Sequence, residues 1–298
     1  MGYLLLTASV LFSVAKGYCG KKTSGLLHGT ADAVLISFVR MFFCVIIGLA
    51  FVLFQDGVGA FRIDGPTFWI SALSGISTAL FVASWLVVIR TGSYMMTDVF
   101  LTMGVIIPLA LCNLLFSEFI RPVQWLGILL LFGAVYIMCS YNSALKGKMK
   151  PGAFGMLIFC GVCYGFSDFS QKLFIHCCPE GSVAVFNFYS YVFAALFLLT
   201  LFAGVSAKEK LGRGEIKTLL KQIYLYVMVM AICLFMSSYF KTMAAIHLPS
   251  AKLYPLFQGM CLTLATVMSS VCFKEKATPR CLMGVGLCFV ALIFINVL

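Results

Sequence analysis

Apolar residues run through this chain in ten stretches, each close to the twenty or so residues that carry a helix across a bilayer. They fall near 3–20, 32–54, 67–90, 95–116, 122–141, 152–173, 181–204, 222–246, 250–273 and 279–297. Each is read as a helix, because a helix pairs its own backbone polar groups where no water can. Most connections are short, so consecutive helices are expected as antiparallel neighbours. Two connections are longer. Lys146-Gly147-Lys148-Met149-Lys150-Pro151 divides the chain near its midpoint, and 206–221, with Lys208, Lys210, Arg213, Lys217 and Lys221, is its most polar stretch. No segment has the length or charge of a soluble domain. The first stretch reads as a mature helix and not a signal peptide, since it lacks a basic start and Lys16 interrupts it.

The pattern repeats. Residues 89–140 and 246–297 align at a constant offset of 157 positions, so that Glu118-x3-Pro122-x4-Gly127 recurs as Glu275-x3-Pro279-x4-Gly284. Phe100, Met103 and Phe116 recur as Phe257, Met260 and Phe273. Five stretches per half is an odd number, so the second half enters the membrane from the opposite side. The expected fold is therefore an all-α membrane protein, with ten transmembrane helices as two inverted five-helix repeats, 1–145 and 146–298, around a central cavity. Halves related in this way are a recurrent design of secondary transporters.

Composition agrees. Apolar residues make up 62% of the chain and charged residues 10%, and the mean hydropathy is +1.06. Soluble domains carry roughly 25% charged residues, so the solvent for most of this surface is lipid. The net charge of +11 does not point to nucleic acid, because the basic residues sit in short loops between apolar runs. By the alternation of the stretches, one face receives most of them, from Lys21, Lys22 and Arg90 to Lys274, Lys276 and Arg280. The other face receives Arg62, Arg121, Lys172 and Lys252. The positive-inside rule makes the first face cytoplasmic and sets both termini outside. Most of the thirteen cysteines lie inside apolar runs and read as small hydrophobes. Cys160-x2-Cys163 has metal-like spacing but no second ligand pair.

Two segments carry a resemblance: "LLFSEFIRPVQWLGILLLFGAVYIM" and "SSVCFKEKATPRCLMGVGLCFVALIF", with "FVRMFF" in the second stretch. In ten-stretch layout and in these segments the chain resembles the drug/metabolite transporter superfamily, EamA type. The resemblance implies a cell-membrane, multi-pass carrier of a small polar metabolite, such as an amino acid or related solute, with export common in the family. It also implies cytoplasmic termini, against the charge distribution.

Ionisable groups at membrane depth are expensive and mark candidate sites. Lys241, about twenty residues into the eighth stretch, reads as a partner for a substrate carboxylate or for Asp168, with snorkelling as the bland alternative. Its repeat partner is Ser84. Asp98 and Asp168 are the acids within stretches; each reads as a proton-coupling group or as a cap or lysine partner. Arg40 is too deep to snorkel and reads as an anion binder or a structural ion-pair member. Lys16 reads equally as a site residue or a snorkelling one. Gln258, Asn113 and Asn187 are candidate polar contacts, and Trp85, Tyr239, Tyr94 and Tyr254 candidate walls. Pro108 and Pro255 are expected to interrupt their helices, and Gly161-x3-Gly165 to allow close packing. Glu118 and Glu275 read as scaffold. His28, His176 and His247 read as loop or interface residues.

Nucleotide-binding and hydrolase motifs are absent from the sequence, so the expectation is a transporter and not an enzyme, with no cofactor. Its cavity is expected between the first, third, fourth, sixth, eighth and ninth stretches. Expected partners are a small-molecule substrate, the bilayer and candidate coupling protons, for a monomer or homodimer. The alternatives are a sugar-phosphate or nucleotide-sugar exchanger, which needs more basic cavity residues, and a lipid-linked substrate flippase, which needs a lateral opening.

Overall fold

The computed structural model describes residues 1–27, 29–91, 94–140, 151–209, 213–274 and 279–296, leaving out the side chains of 91, 94–96, 99, 135, 138–140, 151, 153, 207–209, 213–220, 280, 281 and 296. The boundary between halves, His28, Lys146, Lys148, Lys150, Lys210, Glu275 and Lys276 lie outside the described residues, as do the side chains of Tyr94, Lys208, Arg213, Lys217 and Arg280.

The apolar runs fold as helices: α1 (Gly2–Ser24), α2 (Thr30–Gln55), α3 (Gly65–Thr91), α4 (Tyr94–Gly104), α5 (Ile106–Phe116), α6 (Pro122–Ser140), α7 (Pro151–Cys177), α8 (Val183–Glu209), α9 (Arg213–His247), α10 (Ser250–Cys272) and α11 (Pro279–Asn296). There is no strand among the described residues. Among the described residues six helices carry a run long and apolar enough to cross a membrane: Gly2–Ser24, Thr30–Gln55, Gly65–Arg90, Val183–Ser206, Lys221–His247 and Ser250–Cys272. Burial is inverted relative to a soluble protein. Phe54, Trp69 and Leu114 are 91%, 72% and 76% exposed, while Arg40, Asp168 and Lys241 are 0%, 2% and 5% exposed. Such a surface suits hydrocarbon and such an interior does not suit water exclusion by apolar packing alone. The protein is an all-α membrane protein.

Packing places particular pairs together. α1 lies against α9, α2 against α8, α3 against α7, and α6 against α11. α4 and α5 lean on α7 and α10, and α10 also touches α1. The α6–α11 pair is thereby peripheral, and α1, α3, α4, α7, α9 and α10 face the middle.

The fourth apolar stretch is two helices, broken at Val105. Pro108 accounts for the break: it has no N–H for the Gly104 carbonyl, and its ring crowds that carbonyl. The freed backbone is packed against protein. A Cβ at Gly104 would stand 2.2 Å from the Gly161 carbonyl oxygen, and one at Gly165 would stand 2.4 Å from that of Gly104. Gly161-x3-Gly165 is thus a contact face within the chain, between α7 and the α4–α5 break. Pro255, by contrast, does not interrupt α10, which runs unbroken from Ser250 to Cys272. It sits near the helix start, where only the carbonyl of Ala251 loses its intrahelical donor.

The turn after α5 is held by Ser117 in the left-handed region, φ 53°, and the turn after α10 by Lys274, also φ 53°. These are the non-glycine residues of positive φ among those described, and they stand 157 positions apart. A left-handed residue of this kind carries roughly 1–2 kcal/mol of strain, so its recurrence at the same place in both turns is a structural counterpart of the sequence repeat. In the first turn Glu118 ties four elements: its carboxylate accepts the Ser250 N–H (2.8 Å) and pairs with Lys172 (3.2 Å). Lys172 Nζ also donates to the carbonyls of Ala245 (3.0 Å) and Leu248 (3.1 Å). This is the scaffold role expected of Glu118.

The glycine contact is testable by alanine. Gly104→Ala drives a methyl into the Gly161 carbonyl and is expected to lower the stability of the purified protein by about 1–3 kcal/mol. Gly155→Ala, whose methyl meets nothing within 4 Å, is expected to be neutral or mildly stabilising, because alanine favours helix. Thermal unfolding in detergent reads both; equal melting temperatures would remove the close contact.

Candidate functional site

The buried charges converge between the central helices. Two small adjoining cavities, of about 20 and about 40 Å³, share Ser13, Lys16 and Tyr164 in their walls. Such volumes admit water-sized molecules only. The smaller cavity is walled by Lys16 of α1, Trp85 of α3, Asp98 of α4 and Gln258 of α10. The larger is walled by Lys16, Phe81 of α3, Asp168 of α7, Lys241 of α9 and Phe257 of α10. Tyr191 adds α8 to the wall, a helix absent from the expected lining.

Lys241 and Asp168 form a direct ion pair between α9 and α7, their side chains 6% and 2% exposed. The ammonium also donates to the Tyr164 hydroxyl at 3.3 Å. It lies over the rings of Tyr164 (5.0 Å) and Phe257 (4.6 Å), whose faces are negative. Snorkelling is thereby excluded for Lys241. Tyr254 fixes the other side of Asp168 by donating to its backbone carbonyl at 2.8 Å. Around the pair, Thr78 and Ser167 hydrogen-bond at 2.8 Å, Gln171 donates to Ser238 at 3.3 Å, and Ser238 donates to Asn187 at 2.8 Å. Asn187 is therefore helix-to-helix glue beneath the cavity.

Lys16 does not snorkel either. It is 9% exposed, and α1 runs on to Ser24, about 12 Å further by helical rise. Its ammonium lies 5.7 Å from the ring centres of both Phe81 and Trp85. Gly20, one turn on, gives the Trp85 ring its place, since a Cβ there would stand 2.3 Å from it. Asp98 is buried, and Gln258 binds its backbone carbonyl at 3.3 Å, joining α10 to α4.

Of the two readings of Arg40 the structural ion pair falls away, and the expectations for Tyr239 and Asn113 need correction. Arg40 is fully buried but lines neither cavity and has no ion-pair or hydrogen-bond partner among the described residues; its guanidinium lies 5.7 Å from the Trp85 ring centre. Tyr239 is not a cavity wall. Two residues along a helix is a rotation of about 200°, so the face that turns Lys241 inward turns Tyr239 toward α2, where its hydroxyl meets the Gln55 side chain at 3.0 Å. Asn113 is also outside: it is exposed and donates to the Glu118 carbonyl at 2.9 Å. The sequence reading missed Tyr164, Ser13, Gln171 and Ser238. Tyr164 had a signal, for it stands four residues before Asp168 on the same helical face.

The ion pair carries a stability prediction. Lys241→Met strands the Asp168 carboxylate in a dry site, which costs about 3–5 kcal/mol. The double replacement Lys241→Met with Asp168→Leu removes both charges and is expected to recover most of that loss. Denaturation in detergent of the parent, both single variants and the double variant measures the coupling; strictly additive losses would mean that the two side chains do not act as a pair.

No family model matches the chain, and no curated protein sequence matches it. A solved structure, a crystal structure of a protein, is similar over 99% of this chain and 96% of its own, with a TM-score of 0.73 at 12% identity. The likeness at that identity is one of fold.

Proposed function

We propose that this chain is a cell-membrane secondary transporter of the EamA type, moving a small polar metabolite, an amino acid or related solute, by alternating access. The observation that carries this reading is the charge-lined interior. Helices from before and after the chain midpoint contribute to one cavity wall, and a Lys–Asp pair sits in it away from water. Charge at that depth is costly, and a purely structural bundle would be more stable with apolar residues there.

Counting α4 and α5 as one span gives the ten-span layout this reading needs, with two inverted halves. The helix pairings support it. Exchanging each helix for the one five spans away converts the α1–α9 pair into α7–α3 and leaves α2–α8 and α6–α11 as they are. The matched left-handed residues Ser117 and Lys274 support it too. Two halves related in this way can rock about a site at mid-depth.

The residues suit such a cycle as follows. In this conformation Lys241 is neutralised by Asp168. A substrate carboxylate competes with Asp168 for Lys241 and Tyr164. A proton is the smallest cation that can replace Lys241 beside Asp168, which makes proton exchange the natural coupling. The Glu118–Lys172 cluster, which binds the ends of α9 and α10 together, closes one end of the bundle and must loosen when that end opens.

Flux in reconstituted vesicles tests both parts. Lys241→Ala is expected to reduce amino-acid counterflow at least about tenfold, a loss of 1.4 kcal/mol or more; wild-type flux in that variant removes Lys241 from the site. An imposed gradient of about two pH units supplies roughly 2.7 kcal/mol per proton and is expected to drive accumulation. Flux indifferent to the gradient excludes proton coupling.

A further inference from the structure

The interior has unmet demand for negative charge. Of its carboxylates, Asp168 holds Lys241, and Asp98 is buried in the wall of the smaller cavity, which Lys16 shares. The third buried acid, Asp32, sits at the start of α2, where it accepts the Gly29 N–H at 3.2 Å. Two of the three buried cations have no such partner. Neither Arg40 nor Lys16 makes an ion pair or hydrogen bond among the described residues, although Asp98 shares the wall of the smaller cavity with Lys16, and both cations lie 5.7 Å from the ring of Trp85. An aromatic face relieves a cation only in part, and a wholly buried guanidinium normally has a paired anion.

We propose that Arg40 and Lys16, gathered at Trp85, form an anion subsite for a small monocarboxylate. The inference rests on the transporter reading and narrows its substrate class. Three features choose the ligand. The central groups Lys16, Arg40 and Lys241 against Asp98 and Asp168 leave one positive charge, which a monoanion balances and a phosphate dianion overshoots. The planar guanidinium fork matches two carboxylate oxygens in a way that a spherical halide does not use. The one acid in the wall of the smaller cavity, Asp98, already shares that wall with the Lys16 ammonium, so the site makes no demand for a second ammonium group. Trp85 walls the smaller cavity, and the Arg40 guanidinium, outside that cavity, lies 5.7 Å from its ring centre. Displacement of the indole therefore joins Arg40 to the space that Lys16 already faces, and the carboxylate enters between the two cations.

Trp85 is also the reporter. The chain has three tryptophans, and the other two, Trp69 and Trp125, are 72% and 47% exposed. Trp69→Phe with Trp125→Phe leaves Trp85 as the one source of indole emission. The full chain, purified in detergent, is titrated with sodium propionate at fixed sodium concentration balanced by sulfate. Propionamide, chloride and inorganic phosphate serve as comparison probes. A saturable change in Trp85 emission is expected with propionate and not with propionamide, and Arg40→Gln is expected to weaken it by about tenfold or more. Arg40→Leu is expected to melt no lower than the parent while losing the propionate response, which a structural arginine would not do. Equal responses to propionamide, tighter binding of chloride or phosphate, or unchanged propionate binding in Arg40→Gln overturns the proposal. Should the Arg40 variants fail to fold, Lys16→Gln decides: weakened propionate binding supports the subsite and wild-type binding overturns it. Vesicle flux separates the two readings. Propionate binding without flux of any solute keeps the subsite and removes transport, whereas flux with Arg40-independent binding keeps transport and removes the subsite.

Discussion

A charge buried in a lipid-solvated bundle must find its counter-charge inside the protein, and the Lys241–Asp168 pair is where this chain meets that demand. The pair joins α9 to α7. Its geometry governs its neighbours, because each remaining lone pair and proton needs a partner in the same small space. Tyr164 accepts from Lys241, Tyr254 reaches the Asp168 backbone, and serine and threonine hydroxyls link α3, α7, α8 and α9 around them. α1 and α9 are clasped by a reciprocal exchange in which Ser9 donates to the Ser237 carbonyl at 2.6 Å and Ser237 to that of Ser9 at 2.9 Å. Small polar residues of this kind let helix backbones approach where apolar burial gives no net drive.

The same constraint explains where the backbone is allowed to be irregular. Unpaired carbonyls at membrane depth are tolerated beside a cavity or packed protein. The α4–α5 break at Val105 satisfies that rule, since Gly104 lies in contact with Gly161 and Gly165 of α7. α7 is thus fixed on one flank by backbone-to-backbone contact and on another by the ion pair. Asp98 is carried on α4, above the break, and Asp168 on α7, so both acids are positioned by the helices that this contact joins. The Glu118–Lys172 cluster holds the far ends of the same elements.

Rarity made part of the site legible in advance. Lys16, Arg40, Asp98, Asp168 and Lys241 stand out because charges are so few within apolar runs, and all five are buried together. What rarity does not encode is direction. Tyr239 and Lys241 are equally conspicuous in the sequence, yet the helical turn between them sends one to α2 and the other to the cavity. Asn113 looked like a cavity residue because it lies in an apolar run, but it stands one turn from a helix end and serves the turn. Tyr164 carries no charge to single it out within an apolar run, although its spacing from Asp168 is readable.

By itself the sequence determined the lipid-facing surface and the helical class, because hydropathy and helix formation are properties of local segments that lipid reads directly. It also determined the recurring turn, since the Glu-Pro-Gly frame and the left-handed residue before it are local. Only the tertiary structure decided which charges are paired. Asp168 found Lys241 across 73 residues of chain, while Lys16 found the faces of Phe81 and Trp85 and Arg40 that of Trp85. Pairing depends on how helices are rotated about their axes, and that rotation is set by the packing of glycines and hydroxyls between helices far apart in the chain.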